Sequence, residues 1–253
     1  MISLSTLSQD TVIAAFLAFC RIGACFMLMP GTSSQRVPLQ VRLFLCVAVT
    51  AGMLSFLWDR IYPFADPDPA VLAPMIASEL LIGGLIGAMT RLYMEALRFI
   101  GAAIAMQIGL TNIAGPAIEE AEPQAALAEI ISLSALLFLF VFDFHHEVIR
   151  ALVSSYTVAP IDVFFNPQAA LVDVTDTLSD SFFLVLRLGS PFVAYAILVN
   201  LTVGFVNKLT PQIPIYFISL PFVIAGGLIL FYFGLGTMLS LFADSFADMT
   251  LAR

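Results

Sequence analysis

Long apolar runs follow one another along almost the whole chain, and each comes close to the ~20 residues that a helix needs to cross a bilayer. Because a helix satisfies its backbone hydrogen bonds internally, such runs predict membrane-spanning helices. No run alternates apolar and polar residues in the manner of a β-barrel strand. The sequence therefore predicts an all-α, polytopic helical membrane protein. Its predicted spans are 11–29, 39–57, 71–90, 99–114, 125–142, 182–206 and 213–242, and the apolar stretch 148–160 is too short to span alone.

Composition supports a location in the membrane. Hydrophobic residues make up 60% of the chain, charged residues make up 11%, and the mean hydropathy is +1.01. A soluble domain carries roughly 45–50% apolar and about 25% charged residues. Since core volume grows slowly relative to surface, a soluble fold of 253 residues could not bury so much apolar area. Lipid or apolar partner subunits must cover the remainder.

The charge balance and the cysteines exclude several classes of partner. The net charge is −8, whereas binding to nucleic acid phosphates requires a basic surface. Cys20, Cys25 and Cys46 lie inside apolar runs without metal-type spacing, so we expect small buried apolar side chains. Positions 1–10 carry no positive charge, and we therefore expect the first run to be kept as structure rather than cleaved as a signal.

Proline, glycine and acidic residues mark the predicted connectors, which are 30–38, 59–69, 116–123 and 162–180. The last is the longest polar segment, and its end could form a short amphipathic helix. The stretch 75–113 contains no proline. One continuous helix there would be about 60 Å long, roughly twice the hydrocarbon thickness. The chain either turns near 91–98 or contains a helix that projects well beyond the lipid.

Residues spaced four apart form one stripe on a predicted helix: Glu79, Gly83, Gly87, Arg91 and Glu95. A charge in hydrocarbon costs at least about 2.5–3.5 kcal/mol, so these charges should face protein, water or a partner. The glycines allow a second helix to approach closely. The stripe is either a subunit interface or pore-lining face, or a surface through which the chain packs its own helices. We also expect ion pairs between Arg91 and Glu95 and between Glu95 and Arg98.

One polar cluster looks like a catalytic or metal site: Asp143, His145, His146 and Glu147. Adjacent histidines on a helix point about 100° apart, so His145 and His146 cannot share one ion without a break in the helix. The string also lacks the His-Glu-x-x-His spacing of zinc enzymes. There is no Gly-x-Ser-x-Gly elbow near Ser154 and Ser155, and no phosphate-binding glycine loop. We therefore predict no catalytic residue, no cofactor and no metal.

Four stretches form an ordered series of motifs. The first has an arginine in an apolar helix, a proline exit, a Val-Pro pair and a second arginine: Arg21, Pro30, Val37-Pro38 and Arg42. The second contains Glu79, Gly83, Gly87, Gly101 and Met106-Gln107-Ile108-Gly109-Leu110. The third is Asp143-Phe144-His145-His146, followed by Ser154-Ser155. The fourth is Asn207-Lys208-Leu209-Thr210-Pro211-Gln212, followed by Pro221. In order and spacing the series resembles the FliR family, called SctT in virulence secretion systems, although Phe144 stands where the family has glycine.

The resemblance implies one integral membrane domain over 1–253 without enzymatic activity. Its helical hairpins would resemble a FliP-like part joined to a FliQ-like part. One copy would assemble with FliP-, FliQ- and FlhB-like subunits into a helical export gate, at the flagellar basal body in the bacterial inner membrane. Unfolded exported proteins would pass through its channel. Such an assembly sits high relative to the lipid, which would account for the overlong helical region and the polar stripe.

The resemblance also assigns roles to individual residues. Family motif positions are Arg21, Pro38, Arg42, His145, His146, Pro211 and Gln212. A loop after the Gln-x-Gly-Leu motif, here at about 109–123, is implied to plug the closed pore. The residues predicted for this plug and gate are Met106, Gln107, Gly109, Asn112, Gly115 and Pro116. Proline lacks a backbone donor and glycine permits unusual backbone angles, which suits such a loop, and the flexible thioether of Met106 suits a deformable seal.

Three other interpretations stay open at this point. The chain could serve a virulence secretion system rather than a flagellum. It could be an independent secondary transporter that uses the charges of Glu79, Arg91 and Glu95 as an ion site and the prolines at 211 and 214 as a helix break. An inverted internal repeat would favour that interpretation, and the sequence shows none. The third alternative is a membrane enzyme built on the two histidines.

Overall fold

The computed structural model describes residues 9–33, 37–64, 68–110 and 123–251, and helices account for most of them. The α-helices within these ranges are α1 (Gln9–Leu28), α2 (Leu39–Ile61), α3 (Pro69–Gln107), α4 (Pro123–Val141), α5 (Phe144–Val158), α6 (Pro167–Leu209) and α7 (Ile215–Leu251). A short 3-10 turn, Tyr62–Phe64, follows α2. The described ranges contain no strand, so the all-α prediction is confirmed.

Five of these helices are long and apolar enough to cross a membrane, namely α1, α2, α3, α6 and α7. A sixth span results if α4 and α5 together form one broken span. The described part of the chain is therefore a polytopic helical membrane protein, as predicted.

Helix α3 joins the predicted span 71–90 to residues 99–107 of the next predicted span in one helix of 39 residues. At 1.5 Å per residue it is about 58 Å long. The alternative of a turn near 91–98 is therefore wrong, because that stretch consists mainly of good helix formers and contains no breaker. Arg98 Nη1 lies 3.4 Å from Glu95 Oε1, in the predicted i,i+3 pair. The helix ends soon before Gly109, whose φ of 82° is typical of a residue that terminates a helix.

The prediction of a connector over 162–180 is wrong for most of its length, because α6 begins at Pro167 and continues for 43 residues. Asn166 caps the helix: its Oδ1 accepts hydrogen bonds from the backbone N–H groups of Gln168 at 3.0 Å and Ala169 at 3.3 Å. Pro167 then occupies the first helical position, where a backbone N–H would have no helical partner. Three of the acidic residues that made this segment resemble a loop, Asp173, Asp176 and Asp180, therefore lie within a long helix.

Pro191 lies inside α6 and lacks the N–H that would otherwise donate to the carbonyl of Arg187. The hydroxyl of Ser190 donates to that same carbonyl at 3.0 Å. Serine and threonine side chains can satisfy the backbone groups that proline frees in membrane helices. The Ser190-Pro191 pair therefore explains how α6 continues through a helix-breaking residue.

The described residues form two compact units. The first contains α1, α2, α3 up to Leu92, α5, and α6 up to Thr177. The second contains α3 from Tyr93 onward, α4, the remainder of α6, and α7 up to Asp248. The expectation of one domain over 1–253 stays a prediction.

The core of the first unit lies where α1, α2, α3 and α5 contribute apolar side chains. Leu17 and Ile22 of α1, Leu57 of α2 and Leu152 of α5 are fully buried within one cluster. The three cysteines of α1 and α2 are free and buried, which confirms their prediction as small buried apolar side chains.

In the second unit, close contacts join α3 to α4 and α6 to α7. A Cβ added to Gly101 of α3 would lie 2.9 Å from the Cα of Ala128 in α4, so only glycine allows this approach. The hydroxyl of Tyr195 in α6 donates to the backbone carbonyl of Val223 in α7 at 2.7 Å. The second unit is thus held together partly by small residues and partly by a side-chain hydrogen bond to a backbone.

Large apolar side chains are exposed on both units. Phe44 and Phe56 of α2 are 77% and 79% exposed, and Phe217 and Phe233 of α7 are 79% and 75% exposed. Soluble monomers rarely expose large contiguous apolar patches. Lipid or other subunits must therefore cover these helix faces.

Candidate functional site

A buried ion pair joins α1 to α3 in the first unit. Arg21 Nε donates to Glu79 Oε2 at 2.7 Å, and Arg21 Nη2 donates to Glu79 Oε1 at 2.6 Å. The two side chains are 0% and 1% exposed. Two parallel hydrogen bonds of this kind form the bidentate geometry that suits an arginine and a carboxylate best. Two opposite charges from separate apolar segments therefore neutralise each other.

Arg21 also binds α5 and the residue that follows it. Its Nη1 donates to Ser155 Oγ at 3.1 Å, and its Nη2 donates to the carbonyl oxygen of Ala159 at 2.9 Å. The guanidinium carbon lies 3.9 Å from the ring centroid of Tyr156, within the range of a cation–π contact. One buried arginine thus joins α1 to both α3 and α5. Arg21, Glu79, Ser155, Tyr156 and Ala159 together are called the Arg21 cluster.

Two glycines on α3 let α1 lie directly against it beside the Arg21 cluster. A Cβ added at Gly83 would overlap the backbone of Arg21, and one at Gly87 would lie 2.6 Å from the carbonyl oxygen of Cys25. Small residues at helix crossings permit this close backbone approach in membrane proteins. The first three residues of the predicted stripe, Glu79, Gly83 and Gly87, therefore pack against a helix of the same chain.

The last two residues of the stripe have a different environment. The side chains of Arg91 and Glu95, further along α3, are exposed. Whether these two face a partner subunit or a pore stays a prediction.

The connector after α5 is attached to α3 next to the Arg21 cluster. The backbone N–H of Phe165 donates to Ser78 Oγ at 2.8 Å, and Ser78 immediately precedes Glu79. A cavity of about 370 Å³ lies beside this connector, between α3, α5 and the start of α6. Its wall is mainly apolar, and it shares Ser155 and Ala159 with the Arg21 cluster.

The contacts of the Arg21 cluster connect helices to one another and are those of a structural site. Both charges are paired, and Arg21 makes four hydrogen bonds. Among the buried side-chain polar atoms that the structure describes, only the Tyr156 hydroxyl has no hydrogen-bond partner. An intact buried ion pair adds little net stability, but removing one partner leaves a charge without compensation and is strongly destabilising. The arrangement therefore makes the packing of α1, α3 and α5 depend on a single arginine.

The residues predicted for the gate begin at the end of α3, in the second unit. Met106 is 61% exposed, and Gln107 is the last residue of the helix. The N–H of Gly109 donates to the carbonyl of Met106 at 3.1 Å, which forms a tight turn at the helix end. The remaining predicted residues lie outside the described ranges: Asn112, Gly115 and Pro116. The plug assignment stays a prediction.

The acidic and histidine residues near 145 lie at the start of α5. Asp143 precedes this helix with φ 58°, a left-handed conformation that aspartate tolerates better than most residues. His146 Nδ1 lies 3.7 Å from Asp143 Oδ1, and both side chains are exposed. The side chain of His145 is not among those that the structure describes. Among the described residues no group of three potential ligands could hold a metal ion.

The other family motif positions lie at helix ends. Pro38 immediately precedes α2, and Arg42 Nε donates to the carbonyl of Val37 at 3.0 Å. Pro211 and Gln212 are the central residues of a hydrogen-bonded turn between α6 and α7. Proline suits the first central position of such a turn because its φ is already fixed. These residues begin or join helices, and a further role for them stays a prediction.

Two members of the Arg21 cluster cannot be identified from the sequence. Tyr156 contributes a ring face and Ala159 a backbone carbonyl, and neither has a sequence signal of its own. The pairing of Arg21 with Glu79 does have a signal, because opposite charges in separate apolar runs each need a partner. Ser155 is singled out by sequence only as a motif position, without its contact to Arg21.

Long apolar helices, exposed aromatic faces and buried polar groups that fasten helix to helix define an integral membrane protein of the polytopic α-helical class. Residues 12–249 match the family described as "Bacterial export proteins, family 1". The chain belongs to this family of bacterial export proteins, which confirms the resemblance to the FliR family.

Individual proteins that are similar to this chain are also of the FliR type. The chain is similar to the flagellar biosynthetic protein FliR of Caulobacter vibrioides, with 30% identity over 245 residues that cover 94% of each chain. The FliR protein of Aquifex aeolicus is 25% identical over 95% of this chain and 92% of its own length. The FliR protein of Escherichia coli is 28% identical over 84% of this chain and 80% of its own.

Proposed function

We propose that this chain is a FliR-type subunit of the flagellar protein export apparatus, and that it forms part of the export channel without catalysing a reaction. The observation that carries the proposal is the match over residues 12–249 to a bacterial export family, together with a FliR relative that covers 94% of the chain. The relatives named above are flagellar biosynthetic proteins, which favours a flagellar over a virulence system.

The chain is proposed to act within a larger complex. Helices α3, α6 and α7 contain 39, 43 and 37 residues, so each is about 55–65 Å long, well beyond the ~30 Å of a hydrocarbon core. Lipid alone cannot cover the exposed apolar faces of helices that extend so far. We propose that one copy of this chain assembles with FliP-, FliQ- and FlhB-like subunits in the bacterial inner membrane, at the basal body.

The Arg21 cluster supports this role as a structural element. A subunit that closes a channel must keep a fixed shape while its neighbours pack against it. The bidentate pair of Arg21 and Glu79, with the hydrogen bonds to Ser155 and Ala159, fixes three helices of the first unit in one arrangement. The cluster is proposed to stabilise that shape rather than to bind a substrate.

Co-purification tests the proposal. The chain would be tagged at its C-terminus, expressed with its candidate partners, extracted in mild detergent and weighed by native mass spectrometry. We expect a large complex that contains one copy of this chain and several copies of two small membrane proteins. A monomer or a symmetric homo-oligomer, with the partners expressed but absent from the complex, would contradict the proposal and favour an independent transporter.

A further inference from the structure

The end of α6 and the start of α7 form a helical hairpin in the second unit. No residue over 197–226 is buried, although large apolar side chains such as Phe217 and Phe222 lie there. The first buried residue of α7 is Gly227, and those beyond it in the described part are Phe231, Met238, Leu239, Phe242, Ala243 and Phe246. Helix α7 therefore has two differently supported parts: residues 215–226, called the α7 arm, and a packed part that begins at Gly227.

The junction between these two parts contains residues that weaken a helix. Pro221 lies inside α7 and lacks the N–H that would donate to the carbonyl of Phe217. Gly226 and Gly227 follow, and each weakens the helix relative to alanine because glycine gains more backbone freedom when the helix opens. Sharp kinks in helices occur mainly at proline and at pairs of glycine or serine. The stretch 221–227 is therefore where α7 bends most readily.

A side-chain hydrogen bond attaches the α7 arm to α6 beside this junction. The hydroxyl of Tyr195 donates to the backbone carbonyl of Val223 at 2.7 Å. A Cβ added at Gly226 would lie 2.5 Å from the same hydroxyl oxygen, so Tyr195 lies directly against α7. A Cβ added at Gly227 would instead overlap the buried side chain of Ile108, which directly follows α3. The two adjacent glycines thus contact different helices, and the arm is attached through Tyr195 whereas the packed part is wedged against the end of α3.

We propose that Gly226-Gly227 is a hinge in α7 and that the Tyr195 hydroxyl is a latch that holds the α7 arm against α6. While the hydrogen bond to Val223 is formed, the arm keeps one orientation. When the bond breaks, the arm changes its angle at the two glycines, and the packed part of α7 stays in place because its own side chains are buried. Lipid or a neighbouring helix can then reorient the arm without disturbing the core of the second unit.

Amide hydrogen exchange of the full chain, purified in mild detergent, tests the latch. Tyr195→Phe removes the hydroxyl and keeps the ring. Loss of one hydrogen bond should speed exchange over 215–225 about fivefold, whereas exchange over 231–246 should not change. The matched control is Tyr216→Phe, which removes an exposed hydroxyl from the arm itself and should change exchange in neither region.

A second substitution distinguishes a hinge from a simple packing contact. Tyr195→Phe removes the oxygen that a Cβ at Gly226 would meet, and the nearest remaining ring carbon is 3.4 Å away, an ordinary contact. In that background Gly226→Ala therefore fits, and it stiffens the helix at the junction. We expect the double variant to slow exchange over 215–225 about threefold to fivefold relative to Tyr195→Phe alone. Gly234→Ala in the same background is the control: a Cβ there meets nothing within 4 Å, and it lies beyond the hinge, so it should not slow exchange in the arm.

The result that supports the proposal is faster exchange confined to the arm, reversed by Gly226→Ala and not by Gly234→Ala. Equal acceleration over the arm and over 231–246 would show that Tyr195 stabilises α7 as a whole, which would overturn the proposal. Unchanged exchange in Tyr195→Phe would overturn the latch, and acceleration that Gly226→Ala does not reverse would overturn the hinge. All of these measurements are made on the chain alone, so the proposal stands or fails separately from the function proposed above.

Discussion

The guanidinium of Arg21 in α1 and the carboxylate of Glu79 in α3 share two parallel hydrogen bonds, 2.7 and 2.6 Å long, in a site that excludes solvent. The same guanidinium donates to α5 and to the connector that follows it. Each charge is tolerated only because the other is present, since an unpaired charge would be buried among apolar side chains. The packing of these helices is therefore coupled through one side chain.

Glu79→Leu should destabilise the protein strongly because it leaves Arg21 buried without a counter-charge. We expect a loss of about 3–5 kcal/mol in the free energy of unfolding, the usual consequence of removing one partner of a buried pair. The measurement is a denaturant titration of the purified chain in mild detergent. Glu95→Leu is the matched control and should have little effect, because the Glu95 side chain is 46% exposed.

The double variant Arg21→Met, Glu79→Leu separates the cost of an unpaired charge from the loss of packing. It removes both charges and replaces them with apolar side chains of moderate size. We expect it to recover most of the stability lost in Glu79→Leu. A double variant as unstable as the single one would show that the pair acts through shape or hydrogen bonding to α5, and not through charge compensation.

Gly87→Ala should weaken the contact between α1 and α3. A Cβ at this position would lie 2.6 Å from the carbonyl oxygen of Cys25 and 3.0 Å from Leu28 Cβ, so the helices would have to separate. We expect a destabilisation of about 1–3 kcal/mol, typical of an overpacked core, in the same titration. Gly52→Ala is the control, because a Cβ there meets nothing within 4 Å. That change should stabilise α2 by about 0.5–1 kcal/mol, and equal destabilisation by both variants would contradict the packing argument.

The existence of the helices can be predicted from the sequence, but their lengths cannot. Hydropathy detects stretches that fit a bilayer, and it therefore divides α3 into two spans and places the start of α6 too late. Both errors occur where a helix continues into polar sequence. The start of α6 did have a local signal, since Asn166-Pro167 combines a helix-capping side chain with a proline suited to the first helical turn. The absence of a helix breaker over 91–98 allows α3 to continue through Arg91, but hydropathy does not predict this length, because a helix supported by other protein need not match the lipid thickness.

The sequence predicts some residues of the Arg21 cluster, but it does not predict which of them contact one another. Intramembrane charges such as Arg21 and Glu79 stand out, and the glycines at intervals of four predict a close helix crossing. Which charge pairs with which is a long-range property of the fold, because 58 residues separate the two. The contributions of Tyr156 and Ala159 come from a ring face and a backbone carbonyl, which have no sequence pattern.

Ser190→Ala should destabilise α6 at Pro191. The Ser190 hydroxyl donates to the Arg187 carbonyl that the proline leaves without its helical donor, so the variant leaves this carbonyl unsatisfied. We expect a loss of about 1 kcal/mol in the free energy of unfolding. In a Pro191→Ala background the restored N–H can bind the same carbonyl, and the effect of Ser190→Ala should largely disappear. Equal effects in both backgrounds would mean that the hydroxyl does not compensate for the proline.

Deletion of residues 112–122 tests the predicted plug, which the resemblance to the FliR family places after Gly109. The Arg21 cluster and the close approach of Gly101 in α3 to Ala128 in α4 are formed by residues outside the deleted stretch, so we expect the complex to assemble in normal amount. If the segment closes the pore, its removal should let ions cross the membrane through an open channel. A membrane-potential dye in intact cells would report this as depolarisation that depends on expression of the variant. Changing Glu119, Glu120 and Glu122 to glutamine is the control, since it removes charge while keeping the length, and should leave the cells polarised. A fully assembled deletion variant that keeps the membrane ion-tight would show that other residues close the channel.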